Sequence, residues 1–237
     1  MVDNLLKEAA RRLFPPTCLL CGKPGHGELD LCIGCLEQFQ NNATACARCA
    51  LPLPSSSPAL SLCGRCQKKA PAFDRILAPW LYEGTLAELI QQLKFNGKLA
   101  AGRSLGILLA KAVAADDEAP QLLLPVPQHP VQLGQRGYNH AAELARQLSR
   151  ALHIPWSTRY LQKVRATRPQ HGLDRRERVG NLRGCFHYDE ERGHHHVAVI
   201  DDVVTTASTA SEIARTLKRS GVEKVQVWAL ARTPRQH

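Results

Sequence analysis

Aromatic side chains are scarce in this chain of 237 residues: Phe, Trp and Tyr together supply 5% of it, and methionine occurs once. Any core must therefore be filled by Leu, Ile, Val and Ala. Acidic residues are also in deficit, 21 against 31 Lys and Arg, which leaves a formal charge of +10 and points to a polyanionic partner or a solvated basic loop. Long apolar runs are missing as well. No stretch approaches the ~20 apolar residues that cross a bilayer, and Asp3, Lys7, Glu8, Arg11 and Arg12 do not fit a secretory signal. A cytoplasmic chain without a membrane span is expected. Leu5, Leu6, Ala9, Ala10 and Leu13 recur at helical spacing, which predicts a short amphipathic helix over residues 3–14, packed on the body or on a partner.

Apolar residues, at 44%, exclude disorder for the bulk of the chain, and its length fits one α/β domain plus a small module. Cysteine is concentrated at the front. Eight of the nine cysteines form four CxxC pairs: Cys18 with Cys21, Cys32 with Cys35, Cys46 with Cys49 and Cys63 with Cys66. Two thiolates separated by two residues can face one ion across a tight turn, and two such pairs close a tetrahedral, structural zinc site. Ten residues separate Cys21 from Cys32 and thirteen separate Cys49 from Cys63, as in two sequential zinc ribbons. A cross-braced arrangement, first pair with third and second with fourth, uses the same residues and stays open. Disulfides need an oxidising compartment, and a redox CxxC needs a βαβ setting, so zinc is preferred to either. His26 reads as a surface histidine rather than a ninth ligand, and Cys185, alone beside Phe186, as a small buried hydrophobe.

The stretch LPLPSSSPALS, residues 51–61, falls between the third and fourth pairs and is an internal loop of the second site. Composition changes after Cys66, which places the module at residues 1–70 and a second domain at 71–237. From there apolar runs of strand length alternate with helical patterns, the sign of a parallel sheet with crossover helices. Helices are predicted over Thr85 to Phe95, Leu99 to Ala114, Asn139 to Leu152 and Ser208 to Ser220. Strands are predicted over Gln121 to Val126, Val197 to Ile200 and Lys224 to Ala231, with an extended apolar stretch near DRILAPWLYEG. Ligands of such sheets sit outside the carboxyl ends of the strands.

At one such end the strand Val197 to Ile200 delivers Asp201 and Asp202, followed by a loop rich in Thr and Ser that opens into a helix. Amides at a helix start, with the hydroxyls of Thr205, Thr206, Ser208 and Thr209, form an anion cup suited to a phosphate monoester. Carboxylates just before it can accept hydrogen bonds from sugar hydroxyls. Two acids and four hydroxylated residues in nine positions exceed what a helix cap requires.

This segment resembles the phosphoribosyl pyrophosphate (PRPP) motif of type I phosphoribosyltransferases. The resemblance implies that Asp201 and Asp202 contact the ribose and that Thr205, Thr206, Ala207, Ser208 and Thr209 wrap the 5-phosphate. Those proteins usually carry Gly where this chain has Ala207. IQQLKFNG at 90–97, LPVPQH at 124–129, RGYN at 136–139 and TRPQHGLDRRERVGNLRGC at 167–185 follow one another in an order that is similar to the ComF/GntX family. With the cysteine-rich front, the resemblance covers nearly the whole chain. It implies an α/β fold, a type I phosphoribosyltransferase-like parallel sheet with helices on both faces behind a zinc-ribbon module whose sites are each made of four cysteines. It also implies a part in DNA uptake during competence and in the use of extracellular DNA as nutrient, with PRPP or a related ribose phosphate as ligand and other DNA-uptake proteins as partners. An enzyme of this kind would transfer a ribosyl phosphate from PRPP with Mg²⁺; the alternative is a PRPP-sensing adaptor without catalysis. A zinc-dependent transcription regulator is the third reading, but no helix-turn-helix is evident.

The remaining polar residues distribute around this picture. Pro125 to Pro130, with Gln128, resembles the pyrophosphate-facing loop of the fold, and Arg136 close behind it could neutralise a diphosphate or simply sit in solvent. Asn139 is first of all a helix cap. Residues 159–183 carry eight Arg or Lys against Asp174 and Glu177, a local +6. Arg165 and Arg168 are candidates for a lid over PRPP, and Arg165, Arg168, Arg175, Arg176 and Arg178 for contacts to single-stranded DNA; the sequence does not separate the two uses. Three consecutive histidines, His194 to His196, point in different directions and predict a surface turn rather than a metal site.

Overall fold

The computed structural model describes residues 15–95, 98–114, 118–130, 133–134, 137–165, 182–189 and 193–234. The expected helix over 3–14 and the candidates Arg136, Arg168, Arg175, Arg176 and Arg178 lie outside them. In chain order the described strands are β1 (Arg75–Leu77), β2 (Trp80–Leu81), β3 (Leu122–Pro125), β4 (Leu161–Lys163), β5 (Phe186–Tyr188), β6 (His196–Val204) and β7 (Lys224–Arg232). The helices are α1 (Ile33–Leu36), α2 (Gly64–Lys68), α3 (Gly84–Phe95), α4 (Leu99–Val113), α5 (His140–Leu152) and α6 (Ser208–Arg219).

Two long apolar strands, β6 and β7, form the middle of a parallel sheet ordered β1-β7-β6-β3, and β2 continues along β7 beyond β1. Such a strand must be covered on both sides, because alternate side chains point to opposite faces. Val197 and Val199 of β6 share a core with Ile213, Ala214 and Leu217 of α6. Ala198 and Ile200 share another with α3, α4 and α5 through Leu89, Leu105 and Leu144. Helices thus cover both faces, and each fully buried aliphatic contributes roughly 1.5–3 kcal/mol.

Local sequence explains how closely these helices fit. A Cβ at Gly102 would stand 2.7 Å from Glu143 Cγ, and one at Gly106 2.5 Å from Gln147 Cβ, so the two glycines let α4 lie directly against α5. Asn139 caps α5 as expected: its Oδ1 accepts from the amides of Ala141 and Ala142, and its Nδ2 donates to Val126 O at 3.0 Å. That last bond ties the helix start to the loop after β3.

The cysteine-rich part covers the β1/β2 edge of the sheet. Ile76 N donates to Arg48 O, Leu81 N to Gln40 O and Asn42 N to Pro79 O, so main-chain groups that an open edge would expose are paired. Asp30 docks on α4 through Ser104 Oγ at 2.9 Å and Arg103 at 2.6 Å. Cys18, Leu31 and Phe39 join the α3–α5 core, while Cys46, Cys49, Cys63 and Cys66 join the α6 core.

Some expectations are corrected. The strand predicted to stop at Ile200 runs on through Asp201 and Asp202 to Val204, since β7 pairs with it that far. The apolar stretch after residue 73 is two short strands, and β4 pairs antiparallel with β5 in a small two-stranded sheet that the sequence reading did not contain. The three histidines do diverge, but only partly as a surface turn. His194 Nδ1 meets Tyr188 Oη at 3.1 Å and exposed His195 faces Glu223, whereas His196 is buried as the first residue of β6.

Candidate functional site

The eight paired cysteines assemble as two groups, Cys18, Cys21, Cys32 and Cys35, and Cys46, Cys49, Cys63 and Cys66, with the sulfurs of each group within 4.8 Å of one another. This is the sequential pairing, not the cross-braced one. A tetrahedral zinc with Zn–S bonds of about 2.3 Å needs sulfurs about 3.8 Å apart. Cys21 and Cys32 stand at 3.5 Å and Cys49 and Cys63 at 3.6 Å, so the donor sets fit the ion. In each group one pair lies on a tight turn and the other at the start of a short helix, α1 or α2. The turns are alike: Gly22 N donates to Cys18 O and Ala50 N to Cys46 O, with positive φ at both Gly22 and Ala50. Cys63 N donates to Cys46 Sγ at 3.2 Å. Burial raises the Cys18 and Cys46 thiols, but neighbouring amides outweigh it and bring them down to about 6 and about 7, toward the thiolate form that binds metal. His26 is exposed and belongs to neither group, and Cys185 is fully buried outside both.

The second site lies at the carboxyl ends of β3 and β6. After β3 the chain passes to α5 on one face, and after β6 to α6 on the other. Connections that diverge in this way open a crevice between the two strand ends. Asp202, on the α5 side, is buried at 3% exposure and meets Lys94 Nζ at 2.7 Å and His140 Nε2 at 3.3 Å. Burial alone would raise its carboxyl, yet His140 and Lys94 hold it below the ordinary range. Asp201 is only half-buried, but desolvation and the adjacent Asp202 push it up to about 8. His140 Nδ1 lies 3.0 Å from Gln128 Nε2, so the loop after β3, α5, the end of β6 and α3 are joined in one polar chain.

Beyond β6, Thr205 is exposed and Thr206 to Thr209 are half-buried. Thr206 Oγ1 bonds Ser208 Oγ at 2.9 Å, and Ala207, which directly precedes α6, is left-handed at φ 61°. The loop makes the turn that glycine would favour, without glycine.

Two relatives span nearly the whole of this arrangement. The DNA utilization protein YhgH of Escherichia coli K12 is 36% identical over 225 residues, covering 92% of this chain and 98% of that protein. Competence protein F of Haemophilus influenzae is 36% identical over 224 residues, covering 91% and 96%. The chain belongs to this family. The ComF/GntX resemblance read from its motifs is the same kinship, and residues 9–67 match the double zinc ribbon domain, consistent with the two four-cysteine sites. Among solved structures, TT1426 from Thermus thermophilus is 16% identical with a TM-score of 0.35, covering 57% of this chain and 84% of that one. Adenine phosphoribosyltransferase from Leishmania tarentolae is 15% identical with the same TM-score, covering 57% and 58%. The α/β class follows from the parallel sheet and the helices on both its faces.

Against this family background, the structure brings Asp201 and Asp202 together with His140, their ligand atoms within 4.8 Å, and sets Gln128 against that histidine. Arg165 is exposed, and its guanidinium donates to Arg183 O at 2.7 Å and to Cys185 Sγ at 3.4 Å, beside the two-stranded β4–β5 sheet. Three residues that meet these strand ends escaped the sequence reading. Lys94 and His140 lay inside quoted or predicted segments, but nothing local marked them as partners of Asp202. Arg232, which ends β7, is 1% exposed and reaches the start of the Thr/Ser loop.

Proposed function

We propose that this chain binds PRPP, or a related ribose 5-phosphate, in the crevice between β3 and β6, and that it does so in handling imported DNA or its nucleotide products. The observation that carries the reading is the carboxylate pair within β6 followed at once by a hydroxyl-rich loop, turned through a left-handed Ala207 into α6, at the point where the connections diverge. Thr205 to Thr209 would hold the 5-phosphate with hydroxyls and helix-start amides. Asp201 would face the ribose hydroxyls, and Asp202, locked by Lys94 and His140, would fix the strand end behind it. Mg²⁺ would enter on the diphosphate rather than on a preformed cage, because Lys94 already occupies Asp202. The names of its relatives, DNA utilization protein and competence protein, support the cellular setting.

As an enzyme, the chain would form a bond from an acceptor to the anomeric carbon of PRPP while the bond to pyrophosphate breaks. A second reading, a PRPP-responsive adaptor without turnover, is favoured by the occupied Asp202 carboxylate. Pure protein incubated with PRPP, Mg²⁺ and a panel of bases separates them. Pyrophosphate above a no-protein control supports transfer, saturable binding without pyrophosphate supports the adaptor, and absence of both overturns the site.

A further inference from the structure

Arg232 is a buried cation with an unusual set of partners. Its Nε donates to Cys49 O at 3.0 Å, and its Nη1 donates to Val204 O at 2.8 Å, to Thr205 O, and to Thr233 O at 3.2 Å. Every one of these acceptors is a main-chain carbonyl, and no carboxylate pairs with this guanidinium among the described residues. A buried charge without a counter-charge is unfavourable. Cys49, whose carbonyl Nε holds, is one of the four sulfur ligands of the second group. Four thiolates on one zinc ion carry a net negative charge, so a loaded second site supplies what Arg232 otherwise lacks.

The carbonyls that Arg232 holds on its other side are those that open the Thr/Ser loop. In a trans peptide the carbonyl and the following N–H point in opposite directions. Drawing the Val204 and Thr205 carbonyls toward Arg232 therefore turns the amides of Thr205 and Thr206 away from it, into the arrangement an anion cup requires. We infer that Arg232 is a positioning residue that couples metal occupancy of the Cys46, Cys49, Cys63 and Cys66 site to the geometry of the loop starting at Thr205. The inference deepens the proposed function and rests on it for the identity of the ligand, but the coupling itself does not need PRPP to be observed.

Hydrogen–deuterium exchange on the full-length protein tests it, with zinc content and PRPP affinity measured on the same samples. Cys66→Ser removes metal from the second site and should speed exchange of the 203–209 segment by about tenfold or more, while the 197–200 strand stays protected. Cys21→Ser, at the first site, should leave the loop at the wild-type rate. Arg232→Met should reproduce the faster loop exchange with both zinc ions retained, and should weaken PRPP binding by about tenfold or more. Wild-type loop exchange in Cys66→Ser, or equal acceleration by Cys21→Ser, overturns the coupling. Wild-type loop exchange in Arg232→Met overturns the role of Arg232, and if that variant does not fold, Arg232→Lys, which keeps the charge but not the planar fork, takes its place with the same outcomes. Absence of PRPP binding by the wild-type protein overturns the ligand reading alone, because the exchange comparison stands apart from it.

Discussion

Ala207 shows how one side chain can hold a loop in a form it resists. At φ 61° its Cβ is crowded by its own backbone, at a cost of about 1 kcal/mol relative to glycine. Ala207→Gly should therefore raise unfolding stability by about 0.5–1 kcal/mol in urea titration, and a loss of stability would show that the methyl packs usefully against the α6 core instead. Asp201 makes a second residue-scale prediction. Its carboxyl is pushed up to about 8 from an ordinary 3.8, so the folded chain keeps a proton that the unfolded chain releases. The stability lost to this group should grow from about pH 4 to about pH 8 and then level off. Asp201→Asn should match the wild-type melting temperature at pH 4 and exceed it at pH 8. A variant less stable than wild type at pH 8 would mean that the charged form is favoured in the fold.

At the scale of elements, legibility followed period and length. The predicted ends of α3, α4, α5 and α6 agree with the observed ones to within a residue or so, because each presents an apolar stripe and α5 also has the Asn139 cap. Strands β1, β2, β4 and β5 have two or three residues each, too few to show alternation. Strand β6 was cut short because two aspartates read as a strand end, whereas Lys94 and His140, far away in sequence, make one of them a buried group. Arg232 was missed for a related reason: an arginine closing an apolar run reads as an exit to solvent, and only the fold puts carbonyls around it. The cysteine pairs were legible as ligands, and the sheet edge on which they dock was not. For the module they form, elemental analysis of freshly reduced protein should find two zinc ions per chain, unchanged by Cys185→Ser. One ion or none contradicts the two-site assignment, and zinc loss in the Cys185 variant contradicts the ligand set.

Across the whole molecule the charge is +10, with a local +6 in residues 159–183. Described strands β4 and β5 bracket most of that segment, and few aromatics in it can stack on bases. Single-stranded DNA should therefore bind weakly and without sequence preference. Three to five phosphate contacts would give a log–log salt slope of roughly −2 to −3.5. Fluorescence anisotropy across salt checks this, and affinity unchanged after replacing Arg165, Arg168, Arg175, Arg176 and Arg178 by alanine would remove the segment from the DNA contact. The central claim, a ribose-phosphate site at the ends of β3 and β6, has a more direct test in calorimetry of PRPP with Mg²⁺ against the wild-type protein and the Asp201→Asn, Asp202→Asn double variant. Saturable binding by the wild type, weakened at least about tenfold in a variant that keeps its fold and zinc, is the predicted result. No Mg²⁺-dependent heat with wild-type protein at millimolar PRPP, or equal affinity in the variant, would contradict it.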